Sequence, residues 1–310
     1  MSKLLPPFVL ALLLGIANAN IGCYAAEITP SDVYAQALRI EQETLELQRQ
    51  LGITDPPEMT KPIKTELFPR HVWAKTYMVL TKITLFREQK KLPAVRPVAV
   101  EPVLNLTPFY SWAQCLRILN EIKIVEQAIG ISIATPPTVP VVTGKRTVDV
   151  FNKINQISAL WSVLVGGQIT PPYVYAEAMR LHDDVAALLQ AQDVMDSALP
   201  PVKLENATPA DSLEAGFDVL REIQRLQLQA GLETINLDEF HIVRQDTRPQ
   251  DVFNIIGLLL AELQMLKAKL GLRHIATPIA QYYEGKKPAD VTLVLGYIAN
   301  KLHLLNLRQD

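Results

Sequence analysis

The chain has 310 residues, of which 49% are hydrophobic and 20% charged, and 30 basic against 32 acidic residues leave a net charge of −2. The charges are spread without long runs, which excludes a nucleic-acid surface built on a concentrated basic stripe. Cys23 lies in the leading segment and Cys115 stands alone beyond it, so a core must hold the fold, not a disulfide framework.

Residues 1–26 read as a secretory signal peptide: Lys3, an apolar run from Leu4 to Ala17, then small residues offering cleavage after Ala19. The run is too short, and too broken by Pro6 and Pro7, for the roughly 20 apolar residues of a membrane span. Its removal takes away Lys3 and no acid, leaving 29 basic and 32 acidic residues (30 − 1 against 32). The expected destination is the periplasm or the medium. Gly22-Cys23 also admits a lipid anchor to the envelope at Cys23, against which Asn20 stands where a leucine is expected.

From there the prolines set a period. Pro30, Pro69 and Pro108 are 39 residues apart and Thr147 falls on the next beat; Pro171, Pro209, Pro249 and Pro288 resume it at intervals of 38, 40 and 39. Each beat opens a predicted helix, giving eight copies of one unit grouped four plus four. The first and sixth open with Thr29-Pro-Ser-Asp32 and Thr208-Pro-Ala-Asp211. There an N-cap threonine, a proline at the first helical position and an acid at the third satisfy the helix start. The third and fifth keep Thr107-Pro108 and Thr170-Pro171 but place Tyr110 and Tyr173 at the third position; the seventh and eighth keep the proline with Asp251 and Asp290. Gly52, Gly130, Gly231 and Gly271, 22 residues after their beats, read as helix stops.

The interior spacing is that of an a/d seam. In the seventh unit Val252, Ile256, Leu259, Leu263, Leu266 and Leu270 follow one another by 4, 3, 4, 3 and 4 residues. Cys115 falls on the seam of the third unit and reads as a small buried hydrophobe. The second and sixth seams are weaker, carrying Thr76 and Gly216. Proline- and valine-rich linkers of about 15–17 residues follow most helices and resemble extended polyproline segments. They are long enough either to run back along the bundle between parallel helices or to cross its end between antiparallel ones. The fourth and fifth helices, joined around Gly166-Gly167-Gln168, are expected to be antiparallel neighbours.

The halves match as halves. Ile28-Thr-Pro-Ser-Asp-Val-Tyr-Ala-Gln-Ala37 faces Ile169-Thr-Pro-Pro-Tyr-Val-Tyr-Ala-Glu-Ala178 at an offset of 141. The expected fold is therefore all-α: two tandem duplicated four-helix bundles, residues 27–167 and 168–310, joined by extended proline-rich linkers. The alternative is a single solenoid-like array, which ordinarily places two helices in each period where this chain has one.

Four residues after each beat stand Tyr34, Trp73, Trp112, Phe151, Tyr175, Leu213, Phe253 and Thr292, six of eight aromatic. If the helices are parallel, Tyr34, Trp73, Trp112, Phe151, Tyr175 and Phe253 gather at bundle ends and form the candidate ligand-binding residues; the competing reading is a packing layer. The five histidines are scattered, and none shows a metal-ligand spacing; His182 beside Asp183 and Asp184 reads as a solvated face. Charged pairs such as Glu41/Arg49 and Glu262/Lys269 are assigned to outward faces. No phosphate loop, nucleophile elbow or CxxC pair is present, so no catalytic residue, metal or cofactor is assigned. The expectation is a non-enzymatic envelope or periplasmic module binding a protein partner or a small apolar ligand. An enzyme with a site assembled from dispersed polar residues, or a sensory input module, are the alternatives.

Overall fold

The computed structural model describes residues 27–58, 62–93, 102–131, 141–166, 169–236 and 246–307; the predicted signal peptide, Cys23, Gly167 and Gln168 lie outside them. Eight helices open on the eight beats: α1 (Pro30–Gln50), α2 (Pro69–Gln89), α3 (Pro108–Ala128), α4 (Thr147–Leu164), α5 (Pro171–Ala191), α6 (Pro209–Gln229), α7 (Pro249–Lys269) and α8 (Pro288–His303). Among the described residues none is long and apolar enough to cross a membrane.

The helix starts follow one local rule. The third helical residue accepts the N-cap backbone N–H in six helices, as when Asp32 Oδ2 takes the Thr29 N–H at 2.8 Å and Asp211 Oδ2 that of Thr208 at 2.6 Å. In α2 that residue is His71, whose Nδ1 accepts the Phe68 N–H at 3.0 Å. Thr107 and Thr170 occupy N-cap positions without a side-chain cap bond, contrary to the sequence reading. Tyr110 and Tyr173 offer no carboxylate there to close the reciprocal box. At the C-termini Gly52, Gly130, Gly231 and Gly271 have φ between 66° and 76°, while α2 and α5 end on Lys91 (φ 54°) and Asp193 (φ 52°).

Each half is a ring of four. α1 packs on α3 and α4, and α2 on the same two; α5 packs on α7 and α8, and α6 on the same two. Successive helices α1 and α2 are thus diagonal. Pro30, Pro69, Pro108 and Thr147 close one end of the first bundle around Val33, Val72, Ser111 and Val150, and Pro171, Pro209, Pro249 and Pro288 do the same in the second. All four helices of each bundle therefore run parallel, and the linkers return along the outside.

Their course is visible in the bonds they make. In the α1–α2 linker, Ile63 donates its N–H to Asn152 Oδ1 (3.0 Å) and accepts from Asn152 Nδ2 (2.8 Å), which ties the linker to α4. The α5–α6 linker lies along α8, with Lys301 Nζ donating to Asp196 Oδ2 at 2.6 Å and Asn300 Nδ2 to the Leu199 carbonyl at 2.9 Å. The α7–α8 linker lies along α5, where Arg180 Nε donates to the Pro278 carbonyl at 2.7 Å.

The halves meet through α2 and α7, not through α4 and α5 as expected. Arg70, at the start of α2, pairs with Glu262 in the later half of α7, whereas Lys75 and Met78, further along α2, meet Asn254 and Gly257 in its first half, so the two bundles are antiparallel. The weak α6 seam has a packing cause: a Cβ on Gly216 would stand 3.0 Å from Ile255 Cγ2 of α7.

Candidate functional site

A concavity lies on one flank of the α2–α7 seam, an open groove of about 470 Å³, solvent at its mouth included, between α2, α5 and α7. Its apolar walls come from Trp73, Tyr77 and Met78 of α2 and Phe253, Gly257 and Leu260 of α7. Trp73 and Tyr77 meet edge to face, centroids 4.8 Å apart, an arrangement that aromatic quadrupoles favour. The helices approach closely at Gly257, where a Cβ would stand 2.8 Å from Met78 Sδ and would have to displace that thioether.

Every charge at the groove edge is already matched. Arg180 Nη1 is 2.7 Å from Glu177 Oε2 while its Nε serves the Pro278 carbonyl. Deeper, Lys267 Nζ pairs with Asp184 Oδ1 at 2.7 Å, and Thr277 Oγ1 donates to Asp184 Oδ2 at 2.5 Å. Gln264 Nε2 donates to Asp184 Oδ2 at 3.2 Å and also to Thr277; Gln264 Oε1 is buried without a partner. The carboxylate fixes the amide orientation, because only Nε2 can donate to it.

Of the six predicted aromatics, the structure brings Trp73 and Phe253 together in this groove. The others are dispersed. Tyr34 lies under Lys145, with Nζ 4.6 Å from the ring centroid, and Tyr175 under Lys286 at 4.4 Å, the same contact repeated at the offset of 141. Trp112 stacks on Phe109 and Phe151 is buried near Lys75. The parallel helices do place these residues at bundle ends. They sit one position past the inward layer of Val33, Val72, Ser111 and Val150, so the rings go to the perimeter.

Besides Asp184, which was assigned with His182 and Asp183 to a solvated face and is instead buried against Lys267, two polar clusters escaped the sequence reading. Glu262, assigned to an outward face, is fully buried in the inter-bundle seam. Arg70 Nε donates to it at 2.9 Å, Gln227 Nε2 at 2.5 Å, and His71 Nε2 also bonds it. The sequence signal was His71 at the third helical position, where most units carry Asp: with Nδ1 occupied by the Phe68 N–H, the ring presents Nε2–H to the carboxylate. Burial pushes the Glu262 carboxyl up, and the bonds from His71 together with the Arg70 charge override it, holding it down to about 2. Burial likewise keeps His71 below the ordinary imidazole range. Glu41, also assigned outward with Arg49, instead pairs with Lys153 at 2.9 Å.

The second cluster is on α2, where burial lowers both lysines. Lys75 donates to Asn254 Oδ1 at 2.9 Å and is pushed down to about 7; Lys82 donates to the Ser158 carbonyl, Ser158 Oγ and Ser162 Oγ, each at 2.7 Å. Cys115 is fully buried and its thiol is pushed up to about 12, which leaves it protonated and inert. Among the described residues no group of three or more His, Cys, Asp or Glu side chains is placed to hold a metal ion.

Compared with known proteins, the chain matches no family model, no curated protein and no solved structure.

Proposed function

We propose that the chain is an exported, non-enzymatic module that binds a small, neutral, largely apolar ligand in the groove between α2, α5 and α7. The observation that carries this reading is the combination of aromatic walls with fully matched charges. Trp73, Tyr77 and Phe253 give an apolar ligand a face to stack on, whereas Arg180 and Lys267 are committed to Glu177 and Asp184. An ionic ligand would have to break a pair already made. Gln264 Oε1 is buried behind this wall without a partner. Export rests on Lys3 and the apolar run after it.

Catalysis has less support. The perturbed clusters, Glu262 with Arg70 and His71 and the lysines Lys75 and Lys82 of α2, are buried and do not line the groove.

The test is a fluorescence titration with N-phenyl-1-naphthylamine, a neutral aromatic probe with one N–H. Binding is expected with a blue-shifted emission, and Thr81→Trp, which fills the groove from its wall, should weaken it at least tenfold, about 1.4 kcal/mol. An emission unchanged by the protein, or a Thr81→Trp variant that binds as the parent does, would sink this reading.

A further inference from the structure

The offset of 141 that relates the halves carries Asp184 back onto Glu43 (184 − 141), Gln264 onto Lys123 (264 − 141) and Lys267 onto Glu126 (267 − 141). The second half thus holds an acid on α5 against an ammonium on α7, Asp184 Oδ1 to Lys267 Nζ at 2.7 Å. In the first half the same two places, on the packed helices α1 and α3, are both carboxylic acids. Glu43 is 2% exposed and Glu126 5% exposed. Each has one carboxyl oxygen, Glu43 Oε2 and Glu126 Oε1, buried without a hydrogen-bond partner.

Two buried carboxylates without a cation are not stable as a doubly charged pair. Among the described residues no neighbouring element supplies the missing charge. On α1, Arg39 donates to Gln36, and Glu46 is an additional anion, bonded by Arg49 and Gln50. On α3, Lys123 is exposed and lies one turn from Glu126. On α4, Lys153 is committed to Glu41, and on α2, Arg87 to Glu121 at 2.6 Å and the Pro93 carbonyl. Residues 132–140, in the linker between α3 and α4, contain no titratable side chain.

We propose that Glu43 and Glu126 hold one proton between them, taking the place of the Lys267 ammonium in the other half, and that its loss loosens the α1–α3 contact. The chain thereby carries a pH-sensitive device in one half that is fixed in the other. Burial and the neighbouring carboxylate raise Glu126 to about 7, and burial raises Glu43, with Lys123 and Arg39 only partly opposing. The two titrate as a pair.

The sign follows from linkage. Between pH 4.5, the ordinary value, and about 7 the folded chain keeps a proton that the unfolded chain has released. Stability is therefore greatest at the low end of this window and falls as pH rises, with the unfolding constant growing about tenfold per pH unit. It is level above that range. Buried His71 acts in the opposite direction below its ordinary value, so the test is a difference between variants. Glu126→Lys rebuilds the pair of the second half, and Glu126→Gln removes the charge.

Urea unfolding of the parent and both variants at pH 5 to 8 should show the parent losing stability relative to each with that unit slope. Carbon-13 carboxyl titration of the parent should show glutamate resonances moving near pH 7, a readout that needs no variant. A parent–variant difference independent of pH, with every glutamate titrating below pH 5.5, would overturn the proposal. So would a parent stabilised at pH 8 by calcium or magnesium chloride with no proton step at lower pH, since the pair would then hold a metal ion.

Discussion

At the residue scale, the departures from the repeat are the informative positions. Five helices carry Asp as the third residue, and α2 carries His71, which keeps the capping bond and adds a second one across the seam to Glu262. Removing that carboxylate leaves the Arg70 guanidinium buried and unpaired, so Glu262→Leu is expected to cost about 3–5 kcal/mol in urea unfolding. Because the folded-state value of Glu262 lies near 2, below the ordinary 4.5, its contribution is present above pH 4.5 and is lost as pH falls toward 2. The helix stops give a prediction of opposite sign. Asp193 holds a left-handed φ of 52° where five other units place glycine. That conformation costs a residue with a Cβ about 1–2 kcal/mol, partly offset by the greater unfolded-state freedom of glycine. Asp193→Gly should raise the thermal midpoint slightly, and a fall would show that a side-chain contact of Asp193 outweighs the backbone strain.

At the scale of elements, the linkers act as straps. The α5–α6 strap lies so close to α8 that a Cβ on Gly296 would stand 2.9 Å from Pro201 Cγ. Gly296→Val is therefore expected to lift the strap and speed proteolysis between residues 192 and 208, with the helical circular dichroism nearly unchanged. Asn152→Ala should loosen the α1–α2 strap by about 1–3 kcal/mol, since it strips Ile63 of both partners.

Much of this architecture was legible beforehand: caps, seam and stops are local, and Pro30, Asp32 and Gly52 announce them without tertiary information. Helix direction was not, because a linker of that length reaches either end of a bundle. The burial of Glu262 was hidden for a related reason. α7 is covered on both its bundle side and its seam side, so the outward face that a seven-residue pattern implies does not exist there. The groove was half legible. Trp73 and Phe253 stood out by repetition, whereas Gln264 and Thr277 belong to the site only because the α7–α8 strap returns along α5.

At the scale of the whole molecule, parallel packing aligns four helix dipoles in each bundle, an arrangement that repels itself. The antiparallel seam sets the second bundle's dipoles against the first's. The acids at helix starts, Asp32 and Asp149 in one half and Asp211, Asp251 and Asp290 in the other, oppose the repulsion locally.

The seam also joins unlike surfaces: the second helix of one half meets the third helix of the other. Such a head-to-tail contact does not close on itself, and in principle it can be extended indefinitely by further copies. The outer faces that would extend it are those of α6 and α3. At the places where α2 presents Ala74, Met78 and Thr81, α6 (offset 140) carries Glu214, Asp218 and Arg221, with Arg221 bridging both acids. Where α7 has Gly257, α3 carries Leu116. Growth is thus blocked by charge on one outer face and by bulk on the other. Glu214→Ala, Asp218→Met, Arg221→Thr and Leu116→Gly together should unblock both faces and yield concentration-dependent oligomers in light scattering; a variant that scatters as the parent does would show that these residues do not block growth. A contact made once inside the chain is, by its symmetry, a fibre interface, and its outer faces keep it from becoming one.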